Sequence, residues 1–98
     1  MESKNKEINE IKKKLAKTLR LHSVIKAGVF GSFARGEAKK KSDLDILVKF
    51  RGEKSLFDLS RLEIELEKKI GRKVDLLTYD SIHPLLRERI FKEEVKLI

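Results

Sequence analysis

The residues best suited to chemistry sit in one stretch: Gly31-Ser32, ten residues, then Asp43-Leu44-Asp45. Carboxylates at positions i and i+2 of an extended strand point the same way, about 6.6 Å apart along the chain. Two such groups repel, and one pKa rises unless a cation is present. Carboxylate and phosphate oxygens together suit Mg²⁺, which takes hard oxygen ligands and keeps some waters. Glycine lets the backbone come close to a phosphate. A short helix starting at this turn offers N–H groups and a favourable dipole, and the Ser32 hydroxyl can bond a β- or γ-phosphate oxygen. These parts can hold a nucleoside triphosphate and the metal ions that activate it. Arg35 and Lys41 are candidate cationic contacts, and Ser42 is a further nucleotide-binding candidate.

A third carboxylate would complete a two-metal site, and Asp75, in Lys73-Val74-Asp75-Leu76-Leu77-Thr78, is the natural choice. Two ions about 3.5–4 Å apart stabilise both the attacking and the leaving oxygen of a phosphoryl displacement. Asp75 would bind the catalytic metal and draw the proton from the attacking hydroxyl.

The elements that must position these groups follow from periodicity. Ile8, Ile11, Leu15 and Leu19 recur at steps of three and four, which predicts a helix from about Lys4 to Leu21. Val24 to Phe30 is apolar and β-branched and reads as a buried strand. Ser32 is expected to cap a short helix through about Ala38. Ser42 to Phe50 is the second strand, with Leu44, Ile46, Val48 and Phe50 on one face and Asp43, Asp45, Leu47 and Lys49 on the other. After the Arg51-Gly52 turn, Ser55 caps a long helix that sends Leu56, Leu59, Leu62, Leu66 and Ile70 inward, and Gly71 ends it. Val74 to Tyr79 forms a third strand, which should neighbour the second. Pro84 opens a helix through about Lys92, and Val95 to Ile98 suits a short edge strand. The order is α-β-α-β-α-β-α-(β): an α/β (α+β) fold, a small mixed sheet with flanking helices.

At 98 residues the chain has room for one small domain, residues 1–98, and a modest core. No repeat or linker divides it. No run approaches the roughly 18 apolar residues of a membrane span, and the N-terminus lacks a signal-peptide stretch, so the cytoplasm is the expected location. The absence of cysteine excludes disulfides, thiolate metal sites and thiol catalysis. The formal charge of +8, with 41% charged residues, favours polyanions such as nucleotides, RNA or an acidic protein face. Many of these lysines alternate with glutamates on helix surfaces, which is ordinary solvation. High Lys and Glu without Cys or Trp also matches thermophile composition.

Each part of the motif has a plainer role. Gly-Ser is a common turn, and Asp-x-Asp is common at strand ends. The specificity lies in their combination at this spacing between two strand-like runs. Lys39-Lys40-Lys41 reads as a solvated loop, His22 and His83 as surface residues, and Asp58 and Asp80 as helix-start residues.

The segments Gly31-Ser32-Phe33-Ala34-Arg35-Gly36-Glu37-Ala38 and Ser42-Asp43-Leu44-Asp45-Ile46-Leu47-Val48 resemble the minimal nucleotidyltransferases (MNT proteins). This is the smallest branch of the DNA polymerase β-type nucleotidyltransferase superfamily, and the resemblance covers nearly the whole chain. It implies the polymerase β-type fold, with Gly31 and Ser32 on the triphosphate, Asp43 and Asp45 on Mg²⁺, and Asp75 as third carboxylate. MNT proteins are commonly antitoxins paired with a HEPN-domain RNase toxin. The resemblance implies transfer of AMP from ATP to a tyrosine of that partner. The alternatives are an antitoxin that neutralises by binding alone, and an RNA nucleotidyltransferase. The RNA reading ranks last, because five Phe and one Tyr offer no stacking platform on a strand face. Larger relatives hold the base and acceptor with a further helical domain. This chain should therefore gain its acceptor site from a partner or an oligomer.

Overall fold

The computed structural model describes residues 2–98, with side chains from Lys6 onward. Ile8, Ile11, Leu15 and Leu19 form the buried stripe of α1 (Glu2–Leu21); their spacing gives a helix with one apolar face. The chain continues through β1 (Val24–Phe30), the short α2 (Gly31–Arg35) and β2 (Leu44–Phe50). Next come α3 (Leu56–Ile70), β3 (Val74–Thr78) and a 3-10 turn at Tyr79–Ser81. It ends with α4 (Pro84–Glu93) and the two-residue β4 (Val95–Lys96). This is the element order predicted from the sequence.

The sheet order is β3-β2-β1-β4. β1 runs antiparallel to β2 and β4, and β2 runs parallel to β3, so the sheet is mixed. The parallel pair is joined by α3, the long crossover that parallel neighbours require. On one face, α1 and α3 pack over Leu44, Ile46, Val48 and Val74 with Leu15, Leu19, Leu62 and Leu66, all fully buried. Each such side chain contributes about 1.5–3 kcal/mol relative to exposure. A smaller cluster on the other face joins Leu47 to Ile82 and Ile90, flanked by Phe30 and Tyr79. β2 therefore obeys the predicted alternation, and Asp45 shares its face with Leu47 and α4.

Several boundaries differ from expectation. Ser32 does not cap α2: the helix begins at Gly31, and Phe30 holds the cap position without a side-chain hydrogen bond. It ends at Arg35, short of Ala38, because Gly36 turns left-handed at φ 74°. β2 begins at Leu44, whose amide donates to the Lys73 carbonyl at 2.9 Å; Ser42 and Asp43 precede the ladder. Leu56 is 81% exposed, since it follows the capping residue directly, and the inward face of α3 starts at Leu59. The third strand stops at Thr78, one residue early, where the 3-10 turn takes over. The Ser55–Asp58 capping box and the left-handed Gly71 that ends α3 are as expected. His83 is exposed, and its Nδ1 accepts from the Leu85 amide to cap α4. Among the described residues, no helix is long and apolar enough to cross a membrane.

Candidate active site

Strand register builds the core of the site. Asp45 on β2 lies directly beside Asp75 on β3 and directly beside Phe30 on β1. Register partners project to the same face, so the two carboxylates meet, and the sequence motif Gly31-Ser32 begins one residue beyond Phe30. Burial pushes the Asp45 carboxyl up to about 6, helped by the charge of Asp75, a hydrogen bond with Asp75 and the charge of Asp43. Arg35 acts weakly in the opposite sense. Asp43, half-buried and just ahead of the strand, is thus near enough for its charge to act on Asp45.

Gly31 closes the site from the other side. It takes left-handed backbone at φ 72°, and a Cβ there would fall well inside contact distance of an Asp45 carboxylate oxygen. Only glycine meets both conditions without strain. Its amide donates to Glu93 Oε1 at 3.0 Å. One helical turn on, Arg35 donates through Nε to Glu37 Oε1 at 2.9 Å and through Nη1 to both oxygens of Glu93 at 3.3 Å. Glu37 and then Glu93 hold the guanidinium proton more tightly than usual. Ser32 sits half-buried in the first turn of α2.

Other predicted residues serve the turn leading into Asp43. The Ser42 hydroxyl accepts from the Lys39 amide at 2.7 Å. Arg72 Nη1 donates to the Ser42 carbonyl at 2.8 Å and the Lys39 carbonyl at 3.4 Å, with its guanidinium 4.8 Å from the centre of the Phe33 ring. The Lys39, Lys40 and Lys41 side chains are exposed. Ser42 thus shapes the turn that leads into Asp43. Arg72 and Glu93 were not visible as site residues in the sequence: each acts on partners 30 or more positions away. The one local hint was an adjacent acidic pair, Glu93-Glu94, between the last helix and the edge strand.

The donor set around Asp45 is all carboxylate oxygen, the hard donor type that Mg²⁺ takes. Among the described residues, no three His, Cys, Asp or Glu side chains stand gathered as a metal cluster. Asp45 and Asp75 are in contact, and Asp43 acts on Asp45 through its charge. A groove of about 610 Å³ adjoins through Arg35 and Glu93 and is also lined by Leu85, Glu88, Arg89 and Lys92.

Comparison with known proteins bears on this arrangement. The family described as "Nucleotidyltransferase domain" matches residues 8–98. The chain is 55% identical over 91 residues to a "putative protein adenylyltransferase" of Methanocaldococcus jannaschii, covering 93% of this chain and 98% of that protein. It superposes on a solved structure described as a "putative minimal nucleotidyltransferase" with TM-score 0.79 and 34% identity, covering 92% of each chain. A Shewanella oneidensis structure, a tri-AMPylated HEPN toxin in complex with an MNT antitoxin, matches with TM-score 0.73 and 20% identity, over 93% of this chain and 71% of that one. That last likeness shows the fold alone. The carboxylate pair, the left-handed glycine turn and these matches agree: the chain belongs to the nucleotidyltransferase domain family, in its minimal branch, and is a nucleotidyltransferase.

Proposed function

We propose that this nucleotidyltransferase moves AMP from ATP onto a hydroxyl of a partner protein, a tyrosine of a HEPN-type RNase toxin, and so acts as the antitoxin. The observation that carries the reading is the three-strand register that sets Asp45 beside Asp75, with Gly31 packed against Asp45. Support for a protein acceptor comes from the name of the M. jannaschii relative, and for the HEPN partner from the S. oneidensis complex.

Asp43, Asp45 and Asp75 would hold Mg²⁺, two ions in the full site. The bound metal supplies charge neutralisation of the phosphates and lowers the pKa of the attacking hydroxyl. Asp75 accepts the proton of that hydroxyl. Its oxygen attacks the α-phosphorus, the bond to the bridging oxygen of the β-phosphate breaks, and pyrophosphate leaves with the electron pair. Gly31 and Ser32 bind and orient the triphosphate, and Arg35 offers charge to the departing phosphates. Ser42 acts indirectly, by holding the turn before Asp43.

The test is transfer of α-³²P label from ATP, with Mg²⁺, to a HEPN partner, comparing wild type with Asp43→Asn/Asp45→Asn. Label from wild type alone is the expected result. Label from the double variant removes the metal-carboxylate mechanism. No label despite tight complex formation and full neutralisation establishes an antitoxin that works by binding.

A further inference from the structure

Glu93 stands outside the motif, on the last turn of α4, yet its carboxylate reaches both halves of the phosphate-binding turn. Oε1 accepts from the Gly31 amide at 3.0 Å, and both oxygens accept from Arg35 Nη1 at 3.3 Å. The Glu93 side chain is 16% exposed, against 36% for Arg35, so the contact is sheltered where most surface ion pairs are not. The Gly31 amide opens a helix and has no partner within it; Glu93 supplies one from 62 residues away. Gly31 also needs its left-handed backbone to clear Asp45. A single carboxylate thus fixes the turn that touches Asp45 and aims the guanidinium one helical turn on. Arg35 has five N–H donors in a fixed fork. Nε and Nη1 are engaged by Glu37 and Glu93, which leaves the Nη2 donors for a phosphate.

We propose that Glu93 is a positioning residue for nucleotide binding: from the C-terminal helix it pre-sets the Gly31 turn and orients Arg35 before the triphosphate arrives. The inference rests on the nucleotidyl-transfer reading, because it concerns the pocket that reading assigns. Reach matters more than charge here. Glutamine keeps an acceptor at the same length. Aspartate keeps the charge but falls about 1.5 Å short, and alanine loses both.

The experiment measures binding of Mg²⁺ and a fluorescent ATP analogue by wild type, Glu93→Gln, Glu93→Asp and Glu93→Ala, with steady-state transfer for each. Gln should raise the dissociation constant and KM for ATP about threefold or less. Asp and Ala should raise both about tenfold or more, with kcat falling less than KM rises. Exchange of the Gly31 amide proton, followed by NMR without nucleotide, should quicken in Asp and Ala and stay slow in Gln. Far-UV circular dichroism and melting identify any variant that fails to fold; Gln against Asp alone then still decides the order. An order that follows charge, with Asp closer to wild type than Gln, overturns the proposal. So does unchanged or tighter nucleotide binding in Ala, which would make Glu93 a competitor for the phosphate seat. Normal wild-type binding with indifferent variants defeats this inference alone. A wild type that binds no nucleotide defeats the transfer reading with it.

Discussion

Asp45→Asn should make this protein more stable at neutral pH while destroying its site. Asp45 sits half-buried beside Asp75, and its carboxyl is raised from 3.8 to about 6 by burial and then by Asp75. Such a rise corresponds to about 3 kcal/mol at 1.36 kcal/mol per pH unit. Water screens a half-buried group, so we expect about 1–2 kcal/mol to survive in the measurement. The sign follows from proton linkage. Between pH 3.8 and about 6 the folded state holds the Asp45 proton more tightly than the unfolded chain does. Its contribution to stability is fully present below pH 3.8 and is lost as the pH rises through about 6. Above that, the native state carries an unwelcome charge. Asparagine keeps the shape, carries no charge and donates a hydrogen bond to Asp75.

Thermal melting of wild type and Asp45→Asn at pH 4.5 and pH 8, without divalent cations, measures this. For a chain this small, 1 kcal/mol moves the midpoint by about 4–8 °C. The variant should melt at least about 4 °C above wild type at pH 8, and the gap should shrink to about a third of its pH 8 size at pH 4.5, where only the first part of the ionisation above pH 3.8 has taken place. Carboxyls remote from Asp45, such as Asp58, which its Ser55 backbone hydrogen bond holds below the usual range, act alike in both proteins and cancel. Millimolar Mg²⁺ at pH 8 should raise the wild-type midpoint, because a ligand of the native state stabilises it by mass action, and should leave the variant nearly unmoved. A variant that melts at or below wild type at pH 8, or a gap independent of pH, refutes the account of Asp45.

Two further substitutions separate the site from the scaffold. Gly31→Ala forces a Cβ into left-handed backbone and against the Asp45 carboxylate; it should cost at least about 2 kcal/mol and abolish transfer, read by denaturant unfolding and by the label assay. Ser55→Ala removes the capping box of α3 and should cost about 1 kcal/mol. Ser55 follows the loop after Phe50, the end of β2, which lies five strand residues, about 17 Å, from Asp45, so transfer at 25 °C should stay within twofold of wild type.

What could be read from the sequence was whatever is encoded locally. Gly31 to Asp45 is a short helix and a loop that join β1 to the antiparallel strand pairing back onto it, so the spacing of the motif is also its geometry. The Leu44-Ile46-Val48 alternation placed Asp45 away from the main core for the same reason. The contact with Asp75 needed one further step: that β3, returning through α3, would settle beside β2 in parallel, with the two aspartates level. The sequence supports the neighbourhood but not the register, which is set when Leu44, Ile46, Val74 and Leu76 all enter one core. The misplaced helix cap has a similar cause. Ser32 has the right chemistry for a cap, but Gly31 already turns left-handed to clear Asp45, so the helix starts one residue earlier. That close approach is tertiary and leaves no local trace.

Composition pointed the wrong way on charge at the one place where it matters. The chain is +8 overall, which suits polyanions in general. Around the site, however, Asp45 stands with the charges of Asp75 and Asp43, and the Arg35 guanidinium is already paired with Glu37 and Glu93. The net charge there is negative, and a triphosphate meets repulsion. The lysines that make the chain basic are spread over α1, the Lys39–Lys41 loop and the last turn of α3. They can draw a nucleotide or an acidic partner toward the surface over distances of about a Debye length. They do not neutralise it at the carboxylates. That task falls to cations brought with the nucleotide, and this makes the acidic site and the basic surface complementary: one selects metal-bound nucleotide, the other raises its local concentration. Glu93 belongs to the same logic. It adds a negative charge to a site already rich in them, and what it offers in return is reach: one carboxylate holds the Gly31 amide and the Arg35 guanidinium together.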